Sequence, residues 1–200
     1  MENKLKNRRL SIRQMTMIGM LSAISIFLGI TGLGFIPLPT MRATIMHVPV
    51  IIGAIIEGPV VGALVGLVFG LFSMYQNFTA PGPTSFIFWN PIIAIIPKVL
   101  VGIVAYYVYR TLYNKIKKES ISIAIASLLA SFTNTAGVLS LAYLFYLEKY
   151  SAALGINPDT AAVAIAGIIG ITNGIPEAIV SSVICVPVII AISKIKKSRN

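Results

Sequence analysis

Long apolar runs, separated by short polar segments and by glycine and proline residues, are the dominant pattern of this 200-residue chain. The runs predict six helices, at residues 15–36, 44–57, 59–76, 90–110, 120–147 and 160–193. Several runs are longer than a soluble core helix needs, and crossing a bilayer takes about 20 apolar residues. The pattern therefore predicts an all-α membrane protein, a compact bundle of six transmembrane helices.

Two of the predicted helices have unusual lengths. Residues 44–57 are too few to cross a hydrocarbon core of roughly 30 Å at 1.5 Å per residue, so this helix is expected to pack among its neighbours. Residues 160–193 exceed a single crossing. Because Gly174 and Pro176 weaken the helix there, we expect a kink or an unwound turn near residues 173–176.

Small residues recur at every fourth position of the third and sixth helices. They are Gly58, Gly62, Gly66 and Gly70 in the third, and Ala162, Ala166, Gly170, Gly174, Ala178 and Ser182 in the sixth. Helices in lipid gain no hydrophobic drive from one another, so such rows hold bundles together by close backbone approach. The rows predict tight packing, and a shorter pair, Gly19 and Ala23, is a candidate contact with a different protein.

Composition and charge agree with a membrane location. Hydrophobic residues make up 56% of the chain and charged residues 11%, against about 25% charged in a soluble domain. The net charge of +10 comes from Lys/Arg clusters at both ends and at residues 110–118. Because such clusters mark cytoplasmic segments, we expect one domain, a bundle at 15–193 between cytoplasmic tails at 1–14 and 194–200. The same distribution argues against nucleic-acid binding.

Polar side chains within the apolar runs are predicted to lie in one layer. They are Arg42, His47, Lys98, Asn134, Asn173 and Glu177. At 1.5 Å per residue, most lie roughly 18 Å or more from the inner helix ends. Ionisable groups in membranes usually face a cavity or one another. We therefore expect a substrate pocket in the outer half of the bundle; the alternative is a Lys98–Glu177 ion pair that only joins two helices, with the asparagines tying adjacent backbones.

The segment 77–89, NFTAPGPTSFIFW, has too many helix breakers for a helix and too many apolar residues for an inert linker. We expect it to be a lid beside the pocket that stacks on or hydrogen-bonds a flat solute. The residues concerned are Tyr75, Gln76, Asn77, Phe86, Trp89 and Asn90. The alternative is an aromatic anchor at the membrane interface, which Trp and Tyr commonly supply.

Motifs for catalysis and cofactor binding are missing from the sequence. No G-x-x-x-x-G-K-[ST] occurs, so the chain is not expected to hydrolyse nucleotides. One histidine and one cysteine cannot assemble a zinc cluster, and no metal or other cofactor is expected. Cys185 lies in an apolar run and is predicted to be a packing residue. An intramembrane enzyme built on Glu177 and Lys98 has no supporting motif.

Several stretches resemble the substrate-binding S components of energy-coupling factor (ECF) vitamin transporters. They are ATIMHVPVIIGAIIEGPVVGALVGLVFGLFS, NPIIAIIPKVLVGIVAYYVY and TNGIPEAI, together with the basic tail and the six helices. The resemblance covers nearly the whole chain and is most specific from HVPVIIGAIIEGP to GLVFGL. It implies a multi-pass subunit of a prokaryotic plasma membrane. This subunit would capture a vitamin at the outer face and join one transmembrane coupling protein and two ATPases.

The resemblance also implies roles for particular residues. Gly19 and Ala23 stand where family members have two alanines that dock on the coupling protein; glycine at position 19 is a departure that is conservative in size. The pocket would lie near the outer side, lined by the first, third and fifth loops and helices four to six. The pattern is most similar to the pantothenate-type branch, and Lys98 or Arg42 would suit a carboxylate ligand. Riboflavin, folate, cobalamin and lipoate remain open.

Two other function classes are alternatives. An autonomous proton-coupled carrier would use Glu177 and Lys98 as its relay and would take up solute without partners. A structural membrane subunit would bind no solute. The S-component interpretation instead predicts that ATP-linked movement of the coupling protein reorients the loaded subunit within the membrane.

Overall fold

Helices dominate the computed structural model, which describes residues 10–37, 42–82, 85–155, 157, 159–160 and 170–198. The helices are α1 (Ile12–Ile30), α2 (Val48–Glu57), α3 (Pro59–Thr79), α4 (Pro91–Ile116), α5 (Glu119–Leu154) and α6 (Gly170–Ser198). Two short strands, β1 (Phe35–Pro37) and β2 (Arg42–Thr44), follow α1, and a 3-10 helix (Ser85–Trp89) precedes α4. The described part is therefore nearly all helical, as predicted.

Five of these helices, α1, α3, α4, α5 and α6, are long and apolar enough to cross a membrane. α2 has 10 residues, which correspond to about 15 Å. Every residue from Val48 to Ile55 is buried, and α2 packs against α1, α3, α4 and α6. The expectation that the second helix packs among its neighbours is confirmed, because α2 forms the centre of the apolar core.

Local chemistry explains where several helices begin and end. At the start of α1, the Gln14 N–H donates to Ser11 Oγ at 3.2 Å and the Ser11 N–H donates to Gln14 Oε1 at 3.0 Å. This reciprocal pair satisfies backbone donors that the first helical turn leaves free. Gly58, with φ of 106°, separates α2 from α3, and a residue with a Cβ rarely adopts that conformation.

The segment after α1 differs from the prediction. α1 ends at Ile30, not at residue 36, and two short antiparallel strands at residues 35–37 and 42–44 form a hairpin that pairs Phe35 with Thr44 and Pro37 with Arg42. Gly32, with φ of 73°, turns the chain out of the helix. The apolar run continues through the first strand, so hydrophobicity alone could not locate the helix end.

Of the two alternatives predicted near residues 173–176, the unwound turn is wrong, whereas the kink stays a prediction. Residues 170–198 form one continuous helix that contains Pro176, which membrane helices tolerate when neighbouring groups compensate the lost hydrogen bond. The irregularity lies in α5 instead, where Tyr146 has φ of −136° and ψ of 17°. α5 therefore continues past its predicted end at residue 147, after a break at Tyr146.

The glycine row of the third helix packs against α4. A Cβ at Gly66 would overlap the backbone carbonyl of Lys98, and one at Gly70 would lie 2.8 Å from Ile95 Cα. Tight packing is thus confirmed for Gly62, Gly66 and Gly70, whereas Gly58 is a turn residue. In α6, Gly174 faces α5 and Ala178 is buried. Ala162 and Ala166 lie outside the described residues, as do residues 1–9, 199 and 200 of the basic tails.

Candidate functional site

Glu177 is buried where β2, α5 and α6 meet, with 6% of its surface exposed. Its Oε1 accepts a hydrogen bond from the Thr44 backbone N–H at 2.7 Å, and its Oε2 accepts one from Thr135 Oγ1 at 3.2 Å. Hydrogen bonds to a carboxylate are among the strong ones in proteins. Both carboxylate oxygens are thus bonded within the protein, and Glu177 joins the hairpin to two transmembrane helices.

Lys98 is buried in the first third of α4, with 3% of its surface exposed. Its Nζ lies 4.8 Å from the ring centroid of Phe88 and 5.9 Å from that of Phe69. Ring faces attract a cation, but they do not replace a counter-anion. Among the described residues, no carboxylate forms an ion pair with Lys98. The alternative of a direct Lys98–Glu177 ion pair therefore does not match the structure, although the two charges act on each other through space.

His47 and Asn134 complete the described part of the polar layer. His47 is fully buried, and its Nε2 lies 2.6 Å from Ser181 Oγ of α6. Asn134 is 7% exposed and precedes Thr135, which bonds Glu177. His47 Nδ1 and Asn134 Oδ1 are buried, and neither has a hydrogen-bond partner within the part of the chain that the structure describes. Buried polar atoms without partners are rare and call for an explanation.

Two further predicted site residues are described only by their backbone. Arg42 begins β2, two residues before the Thr44 N–H that bonds Glu177. Asn173 lies in α6 one turn before Glu177. The side chains of both lie outside the described residues, so their role in the pocket stays a prediction.

The predicted lid is partly helical. α3 extends to Thr79, and Ser85–Trp89 form a 3-10 helix, so the expectation of a segment without helix is wrong at both ends. Asn77 organises it, because its Oδ1 accepts from Ser85 Oγ at 2.7 Å and its carbonyl accepts from Trp89 Nε1 at 3.1 Å. Phe88 belongs to this 3-10 helix and its ring centroid lies 4.8 Å from Lys98 Nζ, so the segment contacts Lys98.

Other lid residues have structural contacts of their own. Gln76 Nε2 donates to the Gly29 carbonyl at 3.1 Å, which ties α3 to the end of α1, and Asn90 Oδ1 caps α4 by accepting from the Ile92 N–H at 3.0 Å. Phe86 packs edge-on against Tyr146. Tyr75 is exposed, and Trp89 is partly exposed and stacks on Phe78 at 5.5 Å. These two aromatics suit the interfacial anchor that was the alternative to a lid.

The structure adds residues that sequence reasoning missed. Thr44, Thr135 and Ser181 hold Glu177 and His47, while Phe69 and Phe88 surround the Lys98 ammonium. A partial signal existed for Ser181, which lies one helical turn after Glu177 and whose Oγ donates to the Glu177 carbonyl at 2.7 Å. The backbone donor of Thr44 has no side-chain signature in a sequence.

The candidate docking pair lies on an open face of α1. A Cβ added at Gly19 would meet nothing within 4 Å, and Ala23 is exposed. A shallow apolar groove of about 230 Å³ lies between α5 and α6, lined by Leu128, Leu129, Phe132, Ile175, Ala178 and Ile179. No group of three or more metal-ligating side chains occurs among the residues that the structure describes.

Comparison with known proteins gives matches over most of the chain. A family model described as "ECF transporter, substrate-specific component" matches residues 13–189. The pantothenic acid transporter PanT of Lactococcus lactis subsp. cremoris (strain MG1363) is 32% identical over 176 residues, which are 81% of this chain and 83% of that protein. The pantothenate transporter PanT of Leuconostoc mesenteroides subsp. mesenteroides is 34% identical over 119 residues, 56% of this chain and 58% of that protein. The whole polar layer falls within residues 13–189.

Proposed function

Because the chain belongs to the family of substrate-specific components of ECF transporters, we propose that it captures pantothenate outside the cell and passes it inward. The chain is a multi-pass membrane protein of a transport family, not of an enzyme family. Both named relatives are bacterial pantothenate transporters, which favours this vitamin and the plasma membrane of a prokaryote.

The observation that carries the proposal is the buried ammonium of Lys98. It lies between aromatic rings, and within the described residues it has no anionic partner. Glu177, the nearby opposite charge, already has both oxygens bonded. A buried charge is unfavourable until it is paired, and pantothenate carries one carboxylate. The ligand carboxylate would therefore complete the site at Lys98.

The remaining polar groups fit the other end of such a ligand. Pantothenate has two hydroxyl groups and an amide N–H, all of which donate hydrogen bonds. Asn134 Oδ1 is a buried acceptor, and His47 Nδ1 is a buried ring nitrogen without a partner among the described residues. Arg42 and Asn173 belong to the same predicted layer. In a site shielded from water, a few such bonds can hold a small polar ligand tightly.

The pocket is proposed to open outward in a bundle of six crossings with both termini in the cytoplasm. Arg13 Nη2 lies 2.7 Å and Lys196 Nζ 3.7 Å from Glu57 Oε1, which supports the start of α1 and the end of α6 lying on one side. The Lys/Arg excess at these ends favours the cytoplasmic side. In this arrangement the hairpin and the short helix α2 together form the second crossing.

Energy is proposed to come from partner proteins, since the sequence has no phosphate-binding loop. One coupling protein would dock on α1 at Gly19 and Ala23, where the helix face is open, and two ATPases would bind that coupling protein. Small residues at such a face let a second helix approach closely.

Two measurements test the proposal. The protein is purified in mild detergent and denatured, and the released small molecules are identified by mass spectrometry; pantothenate is expected. Uptake is then measured in liposomes with the coupling protein and ATPases, and with an ATPase-inactive variant as the control. Uptake that persists with the inactive ATPase, or that this chain drives alone with a proton gradient, would favour the autonomous carrier instead.

A further inference from the structure

His47 is the one histidine of the sequence, and it lies fully buried between β2 and α2. Its Nε2 is 2.6 Å from Ser181 Oγ, and that same oxygen is 2.7 Å from the Glu177 carbonyl. His47, Ser181 and the Glu177 backbone thus form a short chain of hydrogen bonds from the start of α2 into α6.

The chain of bonds has a direction, because a serine hydroxyl has one hydrogen to donate. A backbone carbonyl only accepts, so Ser181 donates to Glu177 and must accept from His47. The tautomer of a neutral imidazole that fits both bonds carries its proton on Nε2, and its Nδ1 is then an acceptor. Ser181 therefore sets which nitrogen of His47 is free to accept a hydrogen bond.

Nδ1 is buried and has no partner within the described part of the chain. Asn134 Oδ1, in the same predicted polar layer, is also buried without a partner among the described residues, and an amide oxygen is an acceptor. The buried ammonium of Lys98, by contrast, is a donor. A ligand that complements this layer must therefore bring one anionic acceptor and separate hydroxyl or N–H donors.

From this geometry we propose that Ser181 holds His47 in its Nε2-protonated form and that His47 Nδ1 accepts a hydrogen bond from a hydroxyl group of the ligand. The inference rests on the proposed function, since it assigns one donor of pantothenate to one acceptor of the protein. It makes His47 a specificity-determining residue and Ser181 its positioning residue. A binding site that hydrogen-bonds a ligand hydroxyl rejects the analogue without it, because the buried acceptor is then left unpaired.

The single histidine makes a direct test practicable. The full chain is produced with histidine ¹⁵N-labelled at its two ring nitrogens and with an affinity tag that contains no histidine, so that Nδ1 and Nε2 of His47 are the only labelled sites. Without ligand, Nε2 is expected to be protonated and Nδ1 unprotonated. Addition of pantothenate should shift the Nδ1 signal toward that of a hydrogen-bonded acceptor. Ser181→Ala should lose the fixed tautomer, while Ser182→Ala, one position along α6, should retain it.

Calorimetry supplies the second readout. Two analogues are compared with pantothenate, each lacking one of its two hydroxyl groups. Wild-type protein is expected to bind pantothenate at least tenfold more tightly than one of them, which identifies the recognised hydroxyl. In His47→Leu this preference should fall to within about twofold, while the preference for pantothenate over pantothenol, which lacks the carboxylate, should persist. His47→Gln restores an acceptor and should recover part of the hydroxyl preference. This recovery would show that the loss in His47→Leu comes from the missing acceptor and not from a folding defect.

The outcomes separate this inference from the proposed function. A wild-type protein that binds pantothenate with no change at Nδ1, or with a proton on Nδ1, would overturn the role of His47 alone. The same hydroxyl preference in His47→Leu as in wild type would also overturn it. A wild-type protein that fails to bind pantothenate would refute the proposed function and with it the assignment of His47.

Discussion

Replacing Lys98 by methionine tests whether its ammonium serves the ligand or the fold. Methionine matches the four-atom stem of lysine and is long enough to pack against Phe69 and Phe88, but it lacks the charged Nζ that lies over these rings. If the ligand carboxylate pairs with Lys98, binding should weaken strongly. The ligand-free protein should be as stable as wild type or more stable, because the substitution breaks no ion pair among the described residues and removes a buried charge.

The expected size of the effect follows from the kind of bond that is lost. A hydrogen bond to a charged group contributes about 1.5–3 kcal/mol. At about 1.4 kcal/mol for each factor of ten, this is a roughly 10- to 150-fold increase in Kd for pantothenate. If Lys98 instead formed a buried structural pair, its loss would lower stability by about 3–5 kcal/mol.

Isothermal titration calorimetry with pantothenate gives the affinity, and thermal unfolding of the ligand-free protein gives the stability. Lys149→Met is the matched control, since Lys149 is exposed and its Nζ lies 5.8 Å from the ring centroid of Tyr146. Its loss should change neither measurement. A Lys98→Met protein that binds pantothenate within twofold of wild type would refute the reasoning, as would a large fall in Tm without a change in affinity.

Three other predictions follow from packing and hydrogen bonding. Glu57→Gln should lower the Tm by roughly 2–4 °C, because it weakens the ion pair with Arg13 and loses about 1 kcal/mol of unfolding free energy. If the Tm decrease in an Arg13→Gln/Glu57→Gln double variant equals the sum of the decreases in the two single variants, the pairing would be contradicted. Gly66→Ala should be destabilised by about 1–3 kcal/mol, because its Cβ would overlap a backbone carbonyl of α4, whereas Gly19→Ala should melt like wild type. Glu177→Ala should speed amide exchange in the hairpin roughly tenfold or more and weaken uptake; unchanged exchange at residues 42–44 would show that the hairpin is held by other contacts.

Most helices, and the burial of the polar residues within them, could be predicted from sequence because both follow from the apolar pattern of the chain. A rise of 1.5 Å per residue places Lys98, Asn134 and Glu177 at similar heights, and all three are buried in the structure. The hairpin could not be predicted in this way. β1 is short and apolar and continues the hydrophobic run of α1, so its composition does not distinguish it from a last helical turn. β2 has only three residues, Arg42–Thr44, which is too short for an alternating strand pattern to be recognised.

The partners of the polar residues could not be predicted because they depend on tertiary contact. Glu177 accepts from a backbone N–H at Thr44, and His47 bonds Ser181 from 134 positions away. Depth alone made Lys98 and Glu177 a plausible ion pair. Depth gives no information on which way each side chain turns around its helix, and that direction decides whether two charges at one height can meet.

The separation of these two charges has a consequence for specificity. Had Lys98 and Glu177 bonded each other, a ligand would have had to break that pair before gaining either charge. Instead, Glu177 is bonded by Thr44 and Thr135, while Lys98 contacts aromatic rings. Under the proposed function, a ligand carboxylate would gain a charged partner without displacing one, whereas a cationic solute would be repelled by Lys98 and would find both oxygens of Glu177 already hydrogen-bonded. The proposed selection for an anion would then depend on how the protein satisfies Glu177 as much as on the presence of Lys98.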